Sequence, residues 1–117
     1  MSLSEIKFGL NSATVSAIQA IFAQHPKITQ VIIYGSRAKG NYRANSDIDL
    51  TMQGAQLDYS LLAKIDNQLD DLLLPYTIDL SIYGKIDNLD LLEHIKRVGQ
   101  IFYEKLELFS DTSVGHP

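Results

Sequence analysis

The stretch Tyr34-Gly35-Ser36-Arg37-Ala38-Lys39-Gly40-Asn41-Tyr42-Arg43-Ala44-Asn45-Ser46-Asp47-Ile48-Asp49-Leu50 decides how the chain is read. It leads from the end of an apolar run to a segment carrying two acids. Ser46-Asp47-Ile48-Asp49-Leu50 alternates polar and apolar residues, the pattern of a strand with one buried face. Side chains two apart on a strand share a face. Asp47, Asp49 and Thr51 therefore point one way, and Ile48, Leu50 and Met52 the other. A second run behaves alike: Thr77, Asp79 and Ser81 form its polar side, and Tyr76, Ile78, Leu80 and Ile82 its core side. If the two strands are neighbours, three carboxylates converge on one patch. Two unit charges ~4 Å apart repel by roughly 4 kcal/mol at an effective dielectric of 20. Such a cluster must take up protons or bind cations, and hard oxygen ligands of this kind suit Mg²⁺.

Upstream, Val31-Ile32-Ile33-Tyr34 is apolar on both faces, so a strand over 28–34 is expected inside the sheet. Before it, Val15, Ile18, Ile21 and Phe22 recur at helical spacing, with Ser12 as a candidate N-cap. His25-Pro26 disfavours continuation past Gln24. Residues 1–11 are weakly patterned. Downstream, Leu57, Leu61, Leu62, Ile65, Leu69 and Leu72 mark an amphipathic helix capped by Asp58. Leu91, Leu92, Ile95 and Val98 mark another, starting near Asp87-Asn88 and stopping at Gly99. Ile101-Phe102-Tyr103 reads as a short edge strand, and the polar tail 110–117 as frayed. The expected order is α-β-turn-β-α-β-α, an α/β (α+β) layer fold in which helices flank a small mixed sheet.

The 117 residues imply a single domain, 1–117, with an ordered core over about 12–109. The formal net charge of −4 argues against a dedicated nucleic-acid binder, because phosphate binding favours a basic surface. The chain has no cysteine, which excludes disulfides and thiolate metal sites. No run approaches the roughly 18 apolar residues of a membrane span, and the start lacks signal-peptide character. A soluble cytoplasmic protein is expected.

The turn carries the other half of the chemistry. A strand ending in Gly35-Ser36 and entering a short helical turn exposes backbone N–H groups that suit phosphate, and the Ser36 hydroxyl adds a donor. Arg37, Lys39 and Arg43 place three of the ten basic residues within seven positions. A cationic loop beside an acidic pair fits a metal–triphosphate complex. These are the parts of two-metal phosphoryl or nucleotidyl transfer. Asp47 and Asp49 are placed to bridge both ions, and Asp79 to complete one of them near the attacking hydroxyl.

Gly35-Ser36, a ten-residue interval, Asp47-Ile48-Asp49 and a later strand-borne Asp79 together resemble the nucleotidyltransferase superfamily of DNA polymerase β. Within it, the chain is most similar to the minimal nucleotidyltransferases (MNT), antitoxins paired with HEPN-domain toxins. The resemblance extends from the first helix to Tyr103. It implies a polymerase β-like palm fold, Asp47, Asp49 and Asp79 as catalytic metal ligands, two Mg²⁺ ions, and Gly35 and Ser36 on the triphosphate. It also implies that AMP passes from ATP to a tyrosine of a partner HEPN ribonuclease, with release of pyrophosphate. Arg37, Lys39 and Arg43 stand beside this set as nucleotide-binding candidates.

Two alternatives stay open at this point. One is a non-catalytic antitoxin that masks its partner. The other is a transferase acting on a small hydroxylated molecule such as an aminoglycoside. His25, His94 and His116 share no metal-ligand spacing, and Tyr34 and Tyr76 read as packing beside the site.

Overall fold

The computed structural model describes residues 6–106. Its main sheet has four strands in the order β5-β4-β3-β6. These are β3 (Gln30–Tyr34), β4 (Ile48–Gln53), β5 (Ile78–Ile82) and β6 (Gln100–Glu104), preceded by a two-stranded hairpin of β1 (Ile6–Lys7) and β2 (Leu10–Asn11). β3 pairs antiparallel with both β4 and β6, while β4 and β5 run parallel. The sheet is therefore mixed, β3 lies inside it, and the segment expected from Ile101-Phe102-Tyr103 is its edge strand, as anticipated.

Four helices surround the sheet: α1 (Ser12–Ala23), α2 (Gly35–Lys39), α3 (Tyr59–Asp70) and α4 (Leu89–Val98). Each long helix starts where a short polar side chain can accept an orphan amide. Asp58 Oδ1 accepts from the Leu61 amide at 2.8 Å. Asn88 Oδ1 accepts from Asp90 and Leu91 at 3.0 and 3.1 Å. For α1 the cap is Asn11 rather than Ser12: Asn11 Oδ1 accepts from the Thr14 amide at 2.8 Å. At its other end α4 stops at Gly99, with Lys96 and Arg97 in the last turn, where cations oppose the helix dipole.

The core forms on one sheet face. Val31, Ile33, Ile48, Leu50, Met52 and Ile82 pack there with Ile18, Phe22, Ile65 and Leu69 of α1 and α3. α3 is the crossover that links parallel β4 to β5. The opposite face carries Ile32, Tyr34, Asp49, Thr51, Asp79 and Ser81. α4 covers part of it: Ile95 is buried yet lies outside the main core cluster, and the His94 ring meets Tyr34 edge to face at 6.1 Å.

The hairpin 6–11 was not visible in the weakly patterned N-terminal sequence. Its turn is Phe8-Gly9, both with positive φ (58° and 76°), the geometry of a two-residue hairpin turn. Strands of two residues are too short to show alternation, and Phe is an unusual first turn residue. The tail 110–117, read as frayed, lies outside the described residues. Among the described residues, no helix is long and apolar enough to cross a membrane.

Candidate functional site

β4 and β5 bring the acids together. Their parallel register sets Asp49 directly beside Asp79, and Thr51 beside Ser81. Both carboxylates leave the same face. Asp47 stands one residue before β4, exposed at the same end of the sheet. Asp49 is the half-buried member, and its carboxyl is pushed up to about 6, first by burial and then by the charges of Asp79 and Asp47. Asp66 on α3 adds to this field: burial, Asp70 and Asp79 raise its carboxyl too. Among the described residues, no group of three or more His, Cys, Asp or Glu side chains is arranged to hold a metal ion unaided.

The turn adjoins this acidic pair. Gly35 has φ +74°, and a Cβ built there would overlap Asp49 Oδ2. Glycine is required on both counts: it tolerates the left-handed backbone, and it lets the carboxylate lie directly on the turn. Cross-strand register supports the approach, since Tyr34, the residue before the turn, is the partner of Asp49. Tyr34 itself forms part of the floor. Burial raises its phenol above the ordinary value, a hydrogen bond with Ser81 opposes that rise, and Asp79 and Asp49 add to it.

A five-residue helix has little stability of its own, and α2 is fastened by two side chains from elsewhere and by one of its own. The Gly35 amide donates to His94 Nε2 on α4 at 3.3 Å. Gln100 Nε2 donates to the Ala38 carbonyl at 2.7 Å. Between them lies Arg37, only 2% exposed. Its Nε and Nη2 donate to the Ser46 carbonyl at 3.1 and 2.9 Å, Nη2 also to Ala44 at 3.3 Å, and Nη1 to Phe8 at 2.9 Å. The guanidinium also lies over the Tyr42 and Tyr76 rings, 5.4 and 4.9 Å from their centroids.

This corrects the expectation that Arg37 contacts phosphate. Four of its five N–H donors go to backbone carbonyls of the 41–46 loop and of the hairpin turn, so it acts as an internal staple. Lys39 and Arg43 are exposed, and among the described residues neither takes part in an ion pair. Ser36 is half-buried on α2. Tyr34 lies beside the site and Ser81 on the face of Asp79, as the sequence suggests, but His94 was not expected there, since it sits in no motif and is 59 residues from its partner in the chain.

The raised Asp49 carboxyl has a consequence for stability. A group whose folded pKa lies above its unfolded value of about 3.9 stabilises the fold below that value, and the contribution disappears as pH rises through about 6. In EDTA, this residue should therefore cost the wild-type chain about 1 kcal/mol between pH 5 and pH 8, after allowance for solvent screening. Thermal melts at the two pH values measure it. The Asp49→Asn chain should lack this component of the loss, and an identical pH dependence in both chains would refute the assignment.

Comparisons with known proteins agree with this geometry. The family described as "Polymerase beta, Nucleotidyltransferase" matches residues 16–108. No curated protein matches the chain significantly. Among solved structures, a toxin–antitoxin with AMP-PNP has a TM-score of 0.65 at 22% identity, over 86% of this chain and 83% of that one. An MntA–HepT toxin–antitoxin has a TM-score of 0.61 at 18% identity, over 89% and 79%. A rebuilt and re-refined structure of a tri-AMPylated Shewanella oneidensis HEPN toxin in complex with MNT antitoxin has a TM-score of 0.60 at 17% identity, over 87% and 76%. At these identities the likeness establishes a shared fold.

Proposed function

The chain belongs to the polymerase beta nucleotidyltransferase family, and from that premise we propose that it transfers AMP from ATP to a tyrosine hydroxyl of a partner HEPN toxin, acting as its antitoxin. The observation that carries the reading is the side-by-side register of Asp49 and Asp79, with Asp49 resting on the Gly35 turn. The solved relatives support the rest: one is a toxin–antitoxin with AMP-PNP, and another contains a tri-AMPylated HEPN toxin.

Asp47, Asp49 and Asp79 would hold Mg²⁺, two ions in the full site, with phosphate oxygens and water completing the shells. The fit rests on the donor set: hard oxygens only, with a half-buried Asp49 whose charge its neighbours disfavour. Bound there, Mg²⁺ would neutralise the triphosphate and make the attacking hydroxyl more acidic. The Ser36 amide and hydroxyl meet the outer phosphates. Lys39 and Arg43 supply screened positive charge at the loop. Asp79, on the open edge of the sheet, is nearest the arriving acceptor and can take the tyrosine proton. The phenol oxygen bonds to the α-phosphorus, the bond from that phosphorus to the β-bridging oxygen breaks, and pyrophosphate leaves. Most of the acceleration then comes from positioning and charge stabilisation.

The test mixes the purified chain with a cognate HEPN toxin, MgCl₂ and ATP labelled at the α-phosphate. Label should appear on the toxin and disappear with EDTA. Neutralisation of the toxin without ATP, and with no label transferred, would instead establish masking by binding.

A further inference from the structure

We propose that His94 is a positioning residue of the nucleotide site, holding the Gly35 amide in place so that Ser36 is the residue left to meet phosphate. The inference rests on the nucleotidyltransferase reading above. Gly35 N–H is a donor, so the His94 Nε2 that receives it at 3.3 Å carries no proton, and the ring proton is on Nδ1. The ring is held on a second side by Tyr34, edge to face at 6.1 Å and 81°. Its mount is rigid: α4 is capped by Asn88 and anchored through buried Ile95. Rigid mounts are what make a site precise.

The reason such a clamp matters is conformational. Gly35 is at φ +74° with no side chain to restrict it, and glycine loses the most freedom when ordered. A turn already held needs less ordering when the nucleotide arrives, and that saving appears as affinity. A hydrogen bond of 3.3 Å is long, so its own strength is small. Its effect is to select one backbone conformation. It also divides the work between neighbours: Gly35 gives close approach to Asp49, while the Ser36 amide and hydroxyl remain available.

Two substitutions separate this role from simple packing. His94→Phe keeps the ring against Tyr34 and removes the acceptor. His94→Gln removes the ring and keeps an acceptor oxygen at similar reach. Binding of α,β-methylene-ATP in excess MgCl₂, measured by isothermal titration calorimetry, should weaken about fivefold in His94→Phe and stay within about twofold in His94→Gln. Thermal melts of all three chains report folding. A packing role predicts the reverse order and overturns the inference. So does tighter binding by His94→Phe, which would mean that the imidazole competes with phosphate for the Gly35 amide. If the wild-type chain binds no nucleotide, the failure belongs to the nucleotidyltransferase reading itself.

Discussion

Asp49→Asn is expected to lower AMP transfer to a HEPN toxin by about 10³-fold or more. Metal-assisted stabilisation of transition-state charge is worth several kcal/mol, and each 1.36 kcal/mol is a factor of ten in rate. Asparagine keeps the shape and one oxygen but removes the negative charge that would hold Mg²⁺ in the proposed site. The loss should be in rate rather than in folding, because the same change relieves repulsion from Asp47 and Asp79 and spares a partly buried charge. The variant should therefore melt no lower than wild type at pH 8 while transferring almost nothing. Asp79→Asn, which changes the more exposed acid of the proposed site, should lose less, on the order of 10². Single-turnover measurement of label transfer at saturating ATP and Mg²⁺ reads both. Full activity in a folded Asp49→Asn chain would remove the basis for the proposed chemistry.

Arg37→Met is expected to act on stability, by about 3–4 kcal/mol. The change removes hydrogen bonds from a buried cation to the carbonyls of Ser46, Ala44 and Phe8. Bonds involving a charged group are worth about 1.5–3 kcal/mol each, and buried acceptors left unpaired add a further penalty. The cation–π contacts with Tyr42 and Tyr76 go as well. Domains of this size have only about 5–15 kcal/mol in total, so the melting temperature should fall by on the order of 20 °C. Arg37→Lys should rescue little, since one ammonium cannot reproduce the planar fork that reaches three carbonyls. Lys39→Ala and Arg43→Ala, by contrast, should leave the melting temperature nearly unchanged, as expected of exposed cations that take part in no ion pair among the described residues. An Arg37→Met chain with wild-type melting but impaired ATP binding would restore Arg37 to the phosphate site.

Arg37 is also where sequence reading erred most instructively. Three cations within seven positions look alike as text, and proximity to a phosphate-suited turn suggested one role for all three. Arg43 lies beyond α2 in the exposed loop, while Arg37 and Lys39 differ because the helix has an inner and an outer side. Its inner side faces the 41–46 loop and the hairpin turn at Phe8, so the residue there meets carbonyls. The hairpin could not be anticipated, and with it went the acceptor 29 residues away that helps bury Arg37. Asn11 replaced Ser12 as the α1 cap for a milder reason: both are good caps, and local pattern does not separate neighbouring candidates.

The alternation around Asp47, Asp49 and Asp79, and the helical spacing between them, already specified two half-buried strands joined by a helix. Strand geometry sends every second side chain to the same face, so the acids were expected on the polar face of each strand, and their meeting only if the strands are neighbours. Which strand lies beside which, and in what register, depends on packing between distant segments. So do the clamps on α2, because His94, Gln100 and Phe8 meet that helix only once the sheet has closed around a common core. Local periodicity follows from backbone geometry and can be read along the chain. A contact between residues tens of positions apart is set by the shape of everything packed between them.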